Sequence, residues 1–141
     1  MNSSFDLESH YARLRSEPRL PRLSPHTLRA AWWALRSVRA ARRDLRKNGL
    51  DARVAAPPPS LPWGSRTGVD GVLNRVSPTC LESALVKQRW LAAHRVSCDV
   101  IVGVARDEAG AVRAHAWLEG IASPAEYAKY SIIHRIPPIR D

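Results

Sequence analysis

Two residues in this chain have the type and spacing that nucleophilic catalysis needs. Cys80 follows Ser77-Pro78-Thr79, and Thr79 stands three residues before Glu82, ahead of Leu81, Ala84, Leu85, Leu91 and Ala92 at helical spacing. That capping-box pattern predicts a helix with Cys80 in its first turn. The unpaired amides and the dipole at a helix N-terminus favour the thiolate, which is the reactive form of cysteine. The same amides can hold an oxyanion, so one element supplies both nucleophile and electrostatic stabiliser. His115 comes 35 residues later, in a segment that alternates as a strand does. An imidazole carried there can act as the base.

Cysteine is also among the most buried residue types, so spacing alone leaves a small core hydrophobe as the competing reading of Cys80. Cys98 precedes a β-branched run and reads as a core or strand-edge thiol. His94 ends the Cys80 helix about four turns away, too far for contact; His10 and His26 belong to the N-terminal segment, and His134 lies near the chain's end. Trp117, one strand-pair step from His115, would shield the imidazole, line a substrate cleft or simply pack. Trp32, Trp63 and Trp90 are assigned to packing. No CxxC pair, HExxH, Walker loop or dinucleotide fingerprint occurs, so neither a metal nor a cofactor has local support.

The elements that must position this pair are short and mixed. Residues 1–23 combine Pro18 and Pro21 with Arg and Ser and show little periodicity, which predicts a mobile basic arm. Residues 24–141 then read as one domain of α+β class, with an N-terminal helix and connector over 24–62 and a catalytic core over 63–141. Ser24 and Pro25 open the helix, Leu28, Ala31, Trp32, Leu35, Val38 and Leu45 form its apolar stripe, and Asn48-Gly49 stops it. Arg29, Arg36, Arg39, Arg43 and Arg46 share its opposite face. Pro57-Pro58-Pro59 and Pro62 make a stiff crossing. A short helix is expected from Val69 to Arg75, a strand at 100–104, a hairpin loop at 106–110, and a returning strand from Ala111 to Glu119 that puts Arg113, His115, Trp117 and Glu119 on one face. A turn over 120–124 and a third strand from Tyr127 to Ile133 follow.

The 141 residues suffice for one core, and a composition of 45% hydrophobic and 25% charged residues is globular. The longest apolar run, Ala30 to Leu35, falls far short of the roughly 20 residues a membrane helix needs. No apolar segment of a secretory signal interrupts the first twenty residues, and two cysteines are too few for a disulfide framework, so a cytoplasmic setting is expected. The net charge of +9 is concentrated in residues 1–50, which hold 11 Lys/Arg against 4 Asp/Glu. That asymmetry points to an anionic partner or to a solvated Arg-rich face.

The string Ser77-Pro78-Thr79-Cys80-Leu81-Glu82-Ser83-Ala84-Leu85, with Val102-Gly103-Val104 and then Ala114-His115-Ala116-Trp117-Leu118-Glu119, resembles the lasso peptide biosynthesis B2 proteins, which are transglutaminase-like cysteine leader peptidases. The resemblance is dense from Arg66 to Glu119. It implies a papain/transglutaminase-like fold, with a Cys-bearing helix packed on a small antiparallel sheet carrying the His. It also implies Cys80 as nucleophile, His115 as general base and an acidic residue that orients the imidazole. The family's Asp downstream of the histidine is missing here, since none occurs between His115 and Asp141. Glu126 is the nearest substitute. Glu119 lies about 13 Å along the strand from His115 and reads as structural or substrate-facing; a backbone carbonyl or a water is the remaining orienter. The implied partners are a precursor leader peptide, a separate PqqD-like leader-recognition protein and an asparagine-synthetase-like lasso cyclase. Acyl transfer from a Cys80 thioester to an amine, and a basic nucleic-acid-binding domain, are the alternative readings; no helix-turn-helix or RNP motif backs the second.

Overall fold

Thr79 and Glu82 close the capping box their spacing predicts: Thr79 Oγ1 accepts from the Glu82 N–H at 3.1 Å, and the Glu82 carboxylate accepts from the Thr79 N–H at 3.0 Å. This cap opens α4 (Cys80–Ala93) in the computed structural model, which describes residues 3–121 and 124–139. The other helices are α1 (Ser3–Ser16), α2 (Pro25–Asn48), α3 (Arg66–Arg75) and the one-turn α5 (Pro124–Tyr127). The strands are β1 (Val100–Arg106), β2 (Val112–Leu118) and β3 (Ser131–Ile136), which form an antiparallel sheet in the order β2-β1-β3. The arrangement is α+β, with α4 against one face of the sheet.

Helix α2 spans the predicted residues and stops at Gly49, whose φ of 57° suits glycine. Its buried face is rotated from the predicted stripe. Thr27, Ala30, Trp33, Ala34, Ser37, Val38 and Ala41 are buried, whereas Leu28 and Trp32 remain 53% and 60% exposed. The cause lies in α3. A Cβ on Gly68 would stand 2.2 Å from Thr27 O and 2.8 Å from Ala31 N, so the two helix backbones nearly touch. That contact selects the face with small residues, and of two adjacent tryptophans it buries Trp33. Assigning Trp32 to packing was therefore incorrect.

The N-terminal segment is also more ordered than expected. Within 1–23, α1 is helical rather than a mobile arm: Leu14 is buried, Tyr11 meets Trp63 edge-on at 6.5 Å, and His10 Nε2 donates to the His94 carbonyl at 2.8 Å. Leu20 N–H donates to Gly64 O at 2.9 Å. These few contacts reach remote partners, which is why no periodic apolar stripe announces them.

Core and site lie on opposite faces of the sheet. Val100 and Val102 of β1 pair with Leu118 and Ala116 of β2 and join Leu85, Val86 and Trp90 of α4 in the core. The intervening pairs, Ile101 with Trp117 and Gly103 with His115, face the other way. Gln88 of α4 donates to the carbonyls of Cys98 and Ile136, both at 2.9 Å, and so ties the helix to the start of β1 and the end of β3. The third strand begins at Ser131 instead of Tyr127, because residues 124–127 form α5. The expected turn over 120–124 includes residues 122 and 123, which lie outside the described residues.

Candidate active site

Cys80 is the first residue of α4 and is exposed to solvent. Behind it, the buried Glu82 carboxylate completes the cap and also meets Arg42 of α2, Nε to Oε2 at 3.1 Å and Nη2 to Oε1 at 3.1 Å. Burial pushes the Glu82 carboxyl up, but the Arg42 guanidinium and the Thr79 amide outweigh it and hold the group below its ordinary range. The first turn carrying Cys80 is thus anchored to another helix by a charged fork. Arg42 was not among the residues singled out from sequence, since its partner is 40 positions away.

His115 is partly buried on β2, opposite Gly103, inside a group of aromatic rings. The Tyr127 ring stacks on the imidazole at 5.2 Å and 22°, Tyr130 lies at 5.8 Å and Trp117 at 6.4 Å. Trp117 and Tyr127 stack on each other at 4.5 Å and 3°. Gly103 makes the space: a Cβ there would stand 2.7 Å from Trp117 Cη2 and 3.0 Å from Tyr130 Cβ. A lone glycine inside a strand often marks such a close approach, and this is the signal by which the ring cluster, absent from the sequence reading, could have been found.

Tyr127 packs against one of the two candidate catalytic residues, His115. Burial raises its hydroxyl's pKa, and the charges of Glu126, Tyr130 and Cys80 add to the effect. Among the described residues no hydrogen bond joins Cys80 to His115. None joins Glu126 to His115 either; Glu126 is exposed on α5, because the segment coils into a helical turn there and presents Tyr127 to the imidazole. Glu119 is exposed as well and pairs with Arg135 of β3, which also approaches Asp99 at 3.9 Å, so it clasps the ends of the sheet. Cys98 is buried, and burial pushes its thiol up to about 11, with Asp99 and Glu119 adding to the shift.

A family model described as the transglutaminase-like superfamily matches residues 7–133. The chain belongs to the transglutaminase-like superfamily. No curated protein and no solved structure matches it. The superfamily includes cysteine peptidases and acyltransferases and is typically cysteine-dependent; the helices and small three-stranded antiparallel sheet are consistent with its fold. Among the described residues of this transglutaminase-like chain, no helix is long and apolar enough to cross a membrane, and no three His, Cys, Asp or Glu side chains gather as metal ligands would.

Proposed function

We propose that this transglutaminase-like chain is a cysteine peptidase that removes the leader from a ribosomally synthesised precursor during lasso peptide maturation. The observation that carries the reading is the exposed Cys80 at a capped helix start, on the helix that packs against the strand holding His115 in its group of rings. The Cys80 thiolate attacks the carbonyl carbon of the scissile amide and forms a C–S bond, while first-turn amides of α4 stabilise the oxyanion. The C–N electron pair leaves with the amine, which takes its proton from the His115 imidazolium. Water, giving a proton to His115, then adds to the thioester, and the C–S pair returns to Cys80.

The exposure of Glu126 favours orientation of the imidazole by stacked rings over orientation by that carboxylate. Trp117 and Glu119 remain proposed substrate contacts at the rim. The working partners are a separate PqqD-like leader-recognition protein, which delivers the precursor, and an asparagine-synthetase-like cyclase, which takes the released core. The setting proposed is cytoplasmic.

The test is incubation of the full chain with a precursor peptide and its recognition protein in heavy-oxygen water. Mass spectrometry is expected to find the leader with one labelled carboxylate oxygen, and to find no product with Cys80→Ala. An intact precursor under these conditions would remove the peptidase reading. An amide formed with an added amine, in place of the labelled acid, would make the chain an acyltransferase.

A further inference from the structure

The rotation of α2 leaves a surface that neither the core nor the proposed catalytic pair uses. Leu28 and Trp32, both more than half exposed, lie in a groove of about 780 Å³ between α2 and the proline-rich residues 55–59. Trp33 Nε1 donates to Ala55 O at 3.1 Å and holds that wall against the helix. Arg29, Arg36, Arg39 and Arg43 line the same groove, and no ion pair engages any of them among the described residues. From Leu28 to Arg43 the groove runs about 22 Å at 1.5 Å per residue, the length of about seven extended residues.

Its chemistry selects among anionic occupants. All four cations are guanidiniums, whose planar forks match carboxylates and phosphates alike, so the apolar floor makes the choice. The apolar floor calls for an aliphatic or aromatic anchor between those carboxylates, which a nucleic-acid backbone lacks. A lipid surface would need the apolar residues on a convex ridge, whereas here they lie beside a proline wall. Position narrows the source. Arg42, next to Arg43 in α2 but on a neighbouring face of the helix outside the groove, grips the Glu82 carboxylate of the turn that begins with Cys80. The groove's C-terminal end at Arg43 is thus one residue along α2 from the contact with the first turn of α4.

We propose that this groove is an exosite for the substrate's own leader, an acidic segment with an apolar anchor lying on the N-terminal, acyl side of the scissile bond. The assignment rests on the peptidase reading. It uses a surface apart from Cys80 and His115, so the two can fail separately.

The probe is a fluorescein-labelled synthetic peptide of alternating Glu and Gly with a single Trp, and a second version extended by a Gly spacer to a C-terminal chloromethyl ketone. Binding of the first to full-length Cys80→Ala protein, read by anisotropy, is expected to weaken about tenfold or more in Trp32→Ala and in the Arg36→Glu/Arg39→Glu/Arg43→Glu variant. A Lys-for-Glu peptide should recover binding to the charge-reversed variant. On the chain with Cys80 intact, the second probe should alkylate Cys80 about tenfold faster than its Gln-for-Glu counterpart, and the advantage should vanish in the charge-reversed variant while iodoacetamide reacts at the same rate in both. No binding of the acidic peptide, or binding indifferent to Trp32→Ala, overturns the exosite. Tighter, Trp32-independent binding to single-stranded RNA or to phosphatidylserine vesicles also overturns it, in favour of those ligands. Binding without faster alkylation overturns the leader as occupant and gives the groove to a segment of another protein. Failure of every electrophile at Cys80, with groove-dependent binding intact, overturns the peptidase reading and the leader assignment with it.

Discussion

Arg42 of α2 and Glu82 of α4 meet through two parallel contacts of 3.1 Å, and the same carboxylate accepts the Thr79 amide at 3.0 Å. Three groups from two helices thereby fix the turn that presents Cys80. A carboxylate buried this way is costly without its partner.

Thr79→Ala removes the side-chain half of the cap and should cost about 1 kcal/mol, read as a drop of a few degrees in Tm. Arg42→Ala should lower Tm and slow Cys80 alkylation by a peptide electrophile, since the buried carboxylate keeps only the amide. The pH dependence has a fixed sign. The Glu82 carboxyl titrates below its ordinary value of 4.5 in the folded chain, so the unfolded chain binds the proton first on acidification. The stability that Glu82 contributes is complete above that ordinary value and is lost as pH falls through the folded one. The Tm difference between wild type and Glu82→Gln should shrink over that acid window and stay constant at neutral pH.

The two thiols should differ sharply toward iodoacetamide. Cys98 is buried with its thiol near 11, which leaves about one part in ten thousand as thiolate at neutral pH. Cys80 is exposed. Peptide mapping of the native protein is expected to find the adduct on Cys80 alone, with Cys98 labelled only after unfolding. Equal labelling of both in the native state would contradict the burial of Cys98.

Gly103→Val should disturb the site while both candidate catalytic residues stay in the sequence, since Gly103 pairs with His115 across the sheet. The added atoms start from a Cβ only 2.7 Å from the Trp117 ring and 3.0 Å from Tyr130 Cβ, and relieving that overlap costs about 1–3 kcal/mol. The expected result is a changed near-ultraviolet circular dichroism signal from the displaced rings, with far-ultraviolet helix content retained. Unaltered ring signals would mean that the stack does not depend on this glycine.

The parts of this chain that could be read in advance are those decided within a few residues. The cap at Thr79, the stop at Asn48-Gly49 and the hairpin ending at Gly110, with its φ of 83°, each depend on neighbours in sequence. The choice between Trp32 and Trp33 was not legible, because hydrophobicity is the same for both and the decision rests with Gly68 on another helix. Helix α1 was hidden because a handful of remote contacts hold it. The site divides in the same way: Cys80 and His115 were visible as residue types in local settings, while Arg42, Tyr127 and Tyr130 matter only through partners the chain brings together in space.

The last prediction separates rings from carboxylate as the group that holds His115. Tyr127 stacks on the imidazole at 5.2 Å and on Trp117 at 4.5 Å, whereas Glu126 is exposed and forms no hydrogen bond to His115 among the described residues. Tyr127→Phe keeps the stacked face and removes only the hydroxyl, so leader cleavage should remain within a few-fold of wild type. Tyr127→Ala frees the ring to rotate, and misplacing a base by about 1 Å costs on the order of a hundredfold in rate. Glu126→Gln should cleave at the wild-type rate with an unchanged pH profile. A carboxylate that orients the imidazole would give the opposite ranking, because its loss would remove the favoured tautomer and the partner of the charged ring. Measured cleavage rates for the three variants, with protection of the buried Cys98 from iodoacetamide as a folding control, decide between the two arrangements.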